Sequence, residues 1–390
     1  MSQPVLQISP KGRLGNQMIQ YMVALKLASM VPGLRISNIS LPMWGIRHDW
    51  IDSPGPAFRA ESPHHIDLPE LAKRLNAGSL ACVDWCGFGQ RMENFLPWRD
   101  YTGVFRSPFG RRMGYGGDYL VCPVRAEDIL EPNPHYPLTP VEFYRDVVQR
   151  TGLKPVFIGQ TEPNLYMARI REAFPEAEVR PPQTDVLVDF ETIRQSRHVA
   201  FGVSTYSWLA AFLSETAESL HMTVHGLFHP FQTRECFLLP IRDQRFHFYL
   251  YPINSGVPLA DHAAYHARLA PYGRLMTHEV LDQMLRTAPR YPRSIEACLA
   301  VFDQDWYLSH NADVRDIADT RWGPAFGRHH YRHNGFEEFR DPLLFDAAWY
   351  AREYPMAGFE VSQGDYASLV DHYAQVGAAR GYLPNPGHRA

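Results

Sequence analysis

Between residues 119 and 225 the chain alternates short apolar runs with amphipathic stretches, and that rhythm leaves few folds open to it. Tyr119 to Val124 reads as a buried strand ending at Arg125. Thr139-Pro140-Val141-Glu142 has the form of a capping box with proline at the first helical position, and Gly152 ends the helix it starts. Val156-Phe157-Ile158-Gly159 is the next strand, 163–174 the next helix, and 189–195 lies on another. His198 to Phe201 is a strand, a turn at Gly202-Val203-Ser204-Thr205 leads into a helix over 206–213, and 222–225 is a strand again. Strands and helices in this alternation predict a parallel sheet covered on both faces.

The N-terminal region opens in the same manner. Val5 to Ser9 is a short strand candidate, Pro10 to Asn16 a glycine-bearing loop, and 17–30 has apolar residues at helical spacing. Residues 40–115 hold Pro, His and Trp in irregular order and read only as the rest of a first domain, with Gly114-Tyr115-Gly116-Gly117 as a linker. After 252 the pattern turns helical and repeats itself. Phe302-Asp303 and Trp306-Tyr307 recur as Phe345-Asp346 and Trp349-Tyr350; His330-Tyr331, Gly335 and Pro342 recur as His372-Tyr373, Gly377 and Pro384. Each unit predicts a small helical module burying its aromatics against a neighbour. Three regions follow: an N-terminal α/β domain over 1–115, a second over 116–252, and a helical region over 253–390 with repeats at 302–342 and 345–386.

Composition removes several alternatives. The 38 basic and 42 acidic residues leave a formal charge of -4, with no overall pull toward nucleic acid. Five cysteines, at 82, 86, 122, 236 and 298, fit a reducing compartment better than a disulfide framework. Cys82 and Cys86 have no second ligand pair at zinc-finger spacing, so no metal is expected. Neither a signal peptide nor a membrane-spanning segment is visible, and a cytoplasmic protein is expected, with peripheral membrane association compatible.

Three motifs could carry chemistry. In Gly12-Arg13-Leu14-Gly15-Asn16-Gln17, glycines let the backbone approach a ligand, and the helix that follows offers free N–H groups. A plain strand-to-helix turn would use the same glycines. In Val124-Arg125-Ala126-Glu127-Asp128, an arginine at the C-terminal end of a parallel strand can clasp a diphosphate, or form an ordinary surface ion pair. In Ser204-Thr205-Tyr206-Ser207, hydroxyls crowd a helix start; an N-cap explains one of them, not three.

Taken in order, the three motifs resemble those of the alpha-1,2-fucosyltransferase family. Gly12 to Met18 is similar to its opening motif, 124–128 to its His-x-Arg-Arg-Gly-Asp, and 204–213 to its Ser-Thr-Phe-Ser-Trp-Trp-Ala-Ala-Trp-Leu. The resemblance covers about residues 5–215. It implies a GT-B fold, two Rossmann-like domains facing a cleft, and an inverting, metal-independent transferase of fucose from GDP-fucose to a glycan or glycoconjugate hydroxyl. By motif match, Arg125 would hold the leaving diphosphate and Ser204, Thr205 and Ser207 would line the phosphate site. Gly12, Arg13, Gly15 and Asn16 would approach the donor from the facing domain. Glu127 and Asp128 are candidates to take the acceptor's proton, with His48 and Asp49 equally open. Pro123, Ala126 and Glu127 depart from the family pattern, as does 158–161. Transfer from another sugar nucleotide, or binding without turnover, therefore stays open. The Phe-Asp-x-x-Trp-Tyr repeats resemble modules attached to bacterial glycosyltransferases.

Overall fold

A computed structural model of the chain describes residues 3–60, 64–127, 129–130, 136–230, 232–233, 235–251, 273–286, 293–338, 340–362 and 365–388. Asp128 lies outside the described residues.

The N-terminal part is built on strands β1 (Val5–Ile8), β2 (Arg35–Ser37), β5 (Ala57–Ala60) and β6 (Cys82–Trp85), with a separate hairpin, β3 (Ile39–Leu41) and β4 (Ile46–His48). The four strands run parallel in the order β2-β1-β6-β5. Helix α1 (Leu14–Met30) crosses from β1 to β2 and α2 (Leu68–Asn76) from β5 to β6; α3 (Arg99–Thr102) follows. The sequence reading missed β5 and β6. Cys82 is fully buried inside β6, its thiol pushed above its ordinary value by that burial.

The second part carries β7 (Tyr119–Val124), α4 (Val141–Thr151), β8 (Lys154–Gly159), α5 (Leu165–Ala173), β9 (Glu178–Val179), α6 (Val186–Gln195), β10 (His198–Phe201), α7 (Thr205–Phe212), β11 (Ser219–Val224) and β12 (Phe246–Leu250). A further strand, β13 (Arg274–Met276), pairs antiparallel with β12. Thus 274–276 joins this sheet, although the sequence assigned it to the helical region. The sheet order is β13-β12-β11-β10-β7-β8-β9, parallel except at that edge. The expected capping box does not form. Pro140 is itself the N-cap of α4, without a side-chain bond. Thr139 faces elsewhere: its carbonyl accepts the Tyr166 hydroxyl at 2.6 Å.

One apolar core runs from the first sheet into the second, holding Leu6, Met18 and Val83 together with Val121, Phe201 and Trp208. Phe95 meets Trp208 at 6.0 Å between ring centroids, and Trp44 meets Phe190 at 6.0 Å. Helix α1 shows why. Met18, Ile19, Met22, Val23, Ala24 and Leu27 are all fully buried, more of the helix than one apolar stripe requires, because it packs on its own sheet and on α7.

The helical C-terminal region contains the repeat as a structural duplication. Helices Gln304–His310 and Ala347–Glu353 start at Asp303 and Asp346, whose carboxylates accept the N–H of Trp306 and Trp349 at 2.9 and 3.0 Å. Tyr307 and Tyr350 are fully buried and hydrogen-bond Nδ1 of His330 and His372 at 3.0 and 2.9 Å. A Cβ on Gly335 or on Gly377 would stand 2.2 Å from the partner tyrosine oxygen. The repeated glycines are therefore places where a helix must come down on a phenol. Among the described residues no helix is long and apolar enough to cross a membrane.

Candidate functional site

Ligands of open α/β sheets bind beyond the carboxyl ends of the strands, where the strand order reverses. In the second sheet that reversal lies between β7 and β10; in the first, the loop leaving β1 opens at the carboxyl edge where β1 lies beside β6. The loop leaving β1 carries Gly12 and Arg13. The segment leaving β7 carries Arg125, and the turn leaving β10 carries Ser204. These loops open into one cavity of about 530 Å³, lined by residues of both halves, Gly12 to Asn16, Arg125, Glu127 and Ser204 to Ser207 among them. Every described residue that the sequence singled out for the donor site or for Arg125 and Glu127 lines it. His48 and Asp49 do not. His48 meets the Tyr21 hydroxyl at 3.1 Å, its pKa lowered by burial, and Asp49 pairs with Arg47 at 3.0 Å.

The β1–α1 loop is held from beneath. Gln20, fully buried, accepts the Lys11 N–H at 3.0 Å and donates to the carbonyls of Ser9 and Gly87 at 3.0 and 2.8 Å. Gln90 donates to Asn16 Oδ1 at 2.9 Å, fixing that amide from the same side. The helix begins earlier than its apolar spacing indicated: Arg13 is the N-cap, and Leu14, Gly15 and Asn16 form the first turn. Gly15 lets it sit there, since a Cβ would lie 3.0 Å from both N and Cα of Tyr206. The start of α1 therefore rests directly on the start of α7.

Both helix starts face the cavity with little to neutralise them. α1 has no side-chain cap and no acidic residue in its first turn. α7 has Ser204 as its cap, accepting the Ser207 N–H at 3.2 Å, and again no acid. That bond occupies one hydroxyl of the three the sequence singled out. The first N–H groups of each helix have no intrahelical acceptor, and each helix end carries partial positive charge.

Arg125 follows the last residue of β7. Its guanidinium lies 4.5 Å from the centre of the Tyr136 ring and donates to the Val203 carbonyl at 3.4 Å. The segment after it is braced by Gln160, whose amide oxygen accepts the N–H groups of Ala126 and Glu127 at 2.8 and 3.1 Å and whose nitrogen donates to the Glu127 carboxylate at 2.9 Å. The departure at 158–161 thus has a structural role: Gln160 braces the end of the neighbouring strand with three hydrogen bonds.

Sequence reasoning passed over Asp189 and Tyr136 as site residues, and marked Gln160 only as part of the departure at 158–161. Asp189 lies on α6 and lines the cavity, and desolvation raises its pKa to about 6, with Arg180 pulling the other way. Its sequence signal was weak, because an aspartate near a helix start is ordinary. The cavity therefore combines two arginines, 13 and 125, with two carboxylates, 127 and 189, and two helix N-termini. It offers both cationic and anionic groups to a polar ligand. Among the described residues no group of three or more His, Cys, Asp or Glu is placed to hold a metal ion. No protein-family model matches the chain, and no curated protein matches it.

Proposed function

We propose that the protein is an inverting glycosyltransferase of GT-B architecture that transfers fucose from GDP-fucose to a hydroxyl of a glycan or glycoconjugate. The observation that carries this reading is the convergence of Arg125, the uncapped start of α1 and the hydroxyl-bearing start of α7 on one cavity between two parallel sheets. Breaking the bond between the anomeric carbon and a diphosphate oxygen piles charge on the departing phosphate. Fixed cations and N–H dipoles absorb that charge without reorganising. Arg125 takes the diphosphate from the second sheet, while Gly12, Arg13, Gly15 and Asn16 close on it from the first. Thr205 and Ser207 supply donors at the helix start that Ser204 caps.

Asp189 favours guanosine over other nucleosides. A guanine edge presents two adjacent N–H donors, and one carboxylate accepts both. Glu127, held at the rim by Gln160, is then the carboxylate left to receive the proton of the attacking hydroxyl. The same reading supports a cytoplasmic enzyme, since sugar nucleotides are made there.

Titration with GDP, UDP and dTDP, alongside hydrolysis and transfer assays with GDP-fucose, tests the proposal. GDP should bind most tightly, and Asp189→Ala should weaken GDP about tenfold or more while leaving UDP unchanged. Equal affinity for the three nucleotides would refute the assignment of the base. GDP binding with no turnover on any acceptor would leave a binding protein instead.

A further inference from the structure

The two C-terminal repeats serve as each other's control. What both contain is what the module needs to fold: the aspartate caps, the buried Tyr307 and Tyr350, the histidines bonded to them, and the glycines beneath. The two tyrosines are core, as the repeat predicts of its aromatics, and Trp306 and Trp349 are half-buried beside them. What only the first repeat contains, and what it exposes, is not explained by folding.

That residue set is compact. Trp322 is 69% exposed, the most exposed large apolar side chain among the described residues. Its ring lies near-parallel to Phe326 (6.2 Å, 19°), Phe326 near-parallel to His329 (6.0 Å, 30°), and His329 meets His333 at 4.4 Å. Trp322 ends one helical segment at the Gly323 break, and Phe326, His329 and His333 follow on the next, so the rings meet across that break. In the second repeat the 42-residue offset puts Ser368, Asp371 and Gln375 where the first has Phe326, His329 and His333. There Ser368 caps a helix and Asp371 is buried against Arg293 at 3.2 Å. The charge differs as well. Residues 320–336 hold Arg321, Arg328, Arg332 and three histidines with no carboxylate, whereas 362–378 hold two aspartates and no arginine. Arg321, Arg328, Arg332, His329 and His333 are all exposed. Arg332 shares its charge with Glu296 at 2.9 Å.

From these observations we infer that the Trp322–His333 face of the first repeat is a docking surface for an anionic glycan, one that carries carboxylate or phosphate groups along its chain. A row of near-parallel rings matches the flat C–H faces of successive sugar rings. Exposed guanidinium groups beside the row complement charge spaced along a polymer. The choice of a glycan among anionic polymers rests on the transferase reading above; the ring row and the basic face do not. Holding a growing acceptor on the same chain as the transferase site would raise its effective concentration there.

The test uses the full chain and polygalacturonate, a linear uronate polymer, with neutral dextran, poly(U) and phosphatidylglycerol-containing vesicles as comparisons. Polygalacturonate should bind and dextran should not, and added salt should weaken the binding. Trp322→Ala should weaken it about tenfold, the scale of losing one aromatic anchor. Arg321→Glu, at a second exposed site, should weaken it too. Both variants should bind GDP as the wild type does. Polygalacturonate binding within twofold of wild type in both variants would overturn the inference, as would tighter binding of poly(U) or vesicles through the same residues. GDP binding without polygalacturonate binding would overturn this inference alone. Absence of GDP binding would overturn the transferase reading and, with it, the choice of glycan as ligand.

Discussion

Helix starts in the cleft and helix starts in the C-terminal repeats obey different rules. In the repeats, Asp303 and Asp346 cap their helices with carboxylates, so that N–H groups and helix charge are both answered within a few residues. In the cleft, α1 begins without a side-chain cap and α7 begins on a neutral serine. These two repeat helix starts are complete within a few residues, and the geometry the repeats share there is structural. The cleft leaves helix N–H groups without caps at the carboxyl ends of the strands of both sheets. Local rules left unmet at a concave site mark a place that a ligand completes.

The largest test of that contrast is Arg125→Ala. If the cleft stabilises a departing diphosphate, turnover should fall roughly 10²–10³-fold, the usual scale for one preorganised donor. Activity within threefold of wild type would remove Arg125 from the mechanism. The matching change in the repeats should touch stability alone.

Two glycines sharpen the comparison. A Cβ at Gly15 would press on the backbone of Tyr206 at 3.0 Å, and a Cβ at Gly377 would press on the Tyr350 oxygen at 2.2 Å. Each substitution to alanine should destabilise by about 1–3 kcal/mol through overpacking, read as a fall in the denaturation midpoint. Only Gly15→Ala should also weaken GDP binding, because only there does the contact join the two halves of the cavity. Equal loss of GDP affinity in both variants would mean that the repeats and the cleft are not separable.

Acid should act on the second sheet before it acts on the cleft. His221, His225 and His229 are buried and neutral, their pKa values lowered to about 3 chiefly by desolvation. A lowered histidine pKa means the unfolded chain binds protons first. Stability should therefore fall as pH drops below about 6.5, by about 2 kcal/mol per histidine at pH 5. Asp189 works in the opposite sense. Its folded pKa, raised to about 6, lies above the carboxylate range, so its unfavourable contribution is relieved as pH falls from 6 toward 4. Melting curves from pH 7.5 to 4.5 for the wild type and for His225→Phe check the sign. Equal acid sensitivity in the two proteins would exclude that histidine as a cause.

Much of the second part was legible beforehand. Strands β7, β8 and β10 lie where their apolar runs put them, because a parallel strand buried on both faces leaves an unbroken apolar signature. The first part was harder to read. β5 is an edge strand with exposed side chains, and β6 is four residues long, so neither stands out from the prolines and tryptophans around it. The start of α1 was hidden because Gly15 and Asn16 are poor helix formers that a tertiary contact with Tyr206 holds in place.

The alternation of strands and helices over 119–225, the duplicated C-terminal module and the residue types at the three motifs were decided by the amino-acid sequence, since each depends on periodicity and composition over short distances. That Asp189 and Gln160 share a cavity with residues 12–16 and 204–207 could be decided only by the tertiary structure. Their separation along the chain is bridged by sheet order and by the packing of α1 on α7, and neither leaves a local trace.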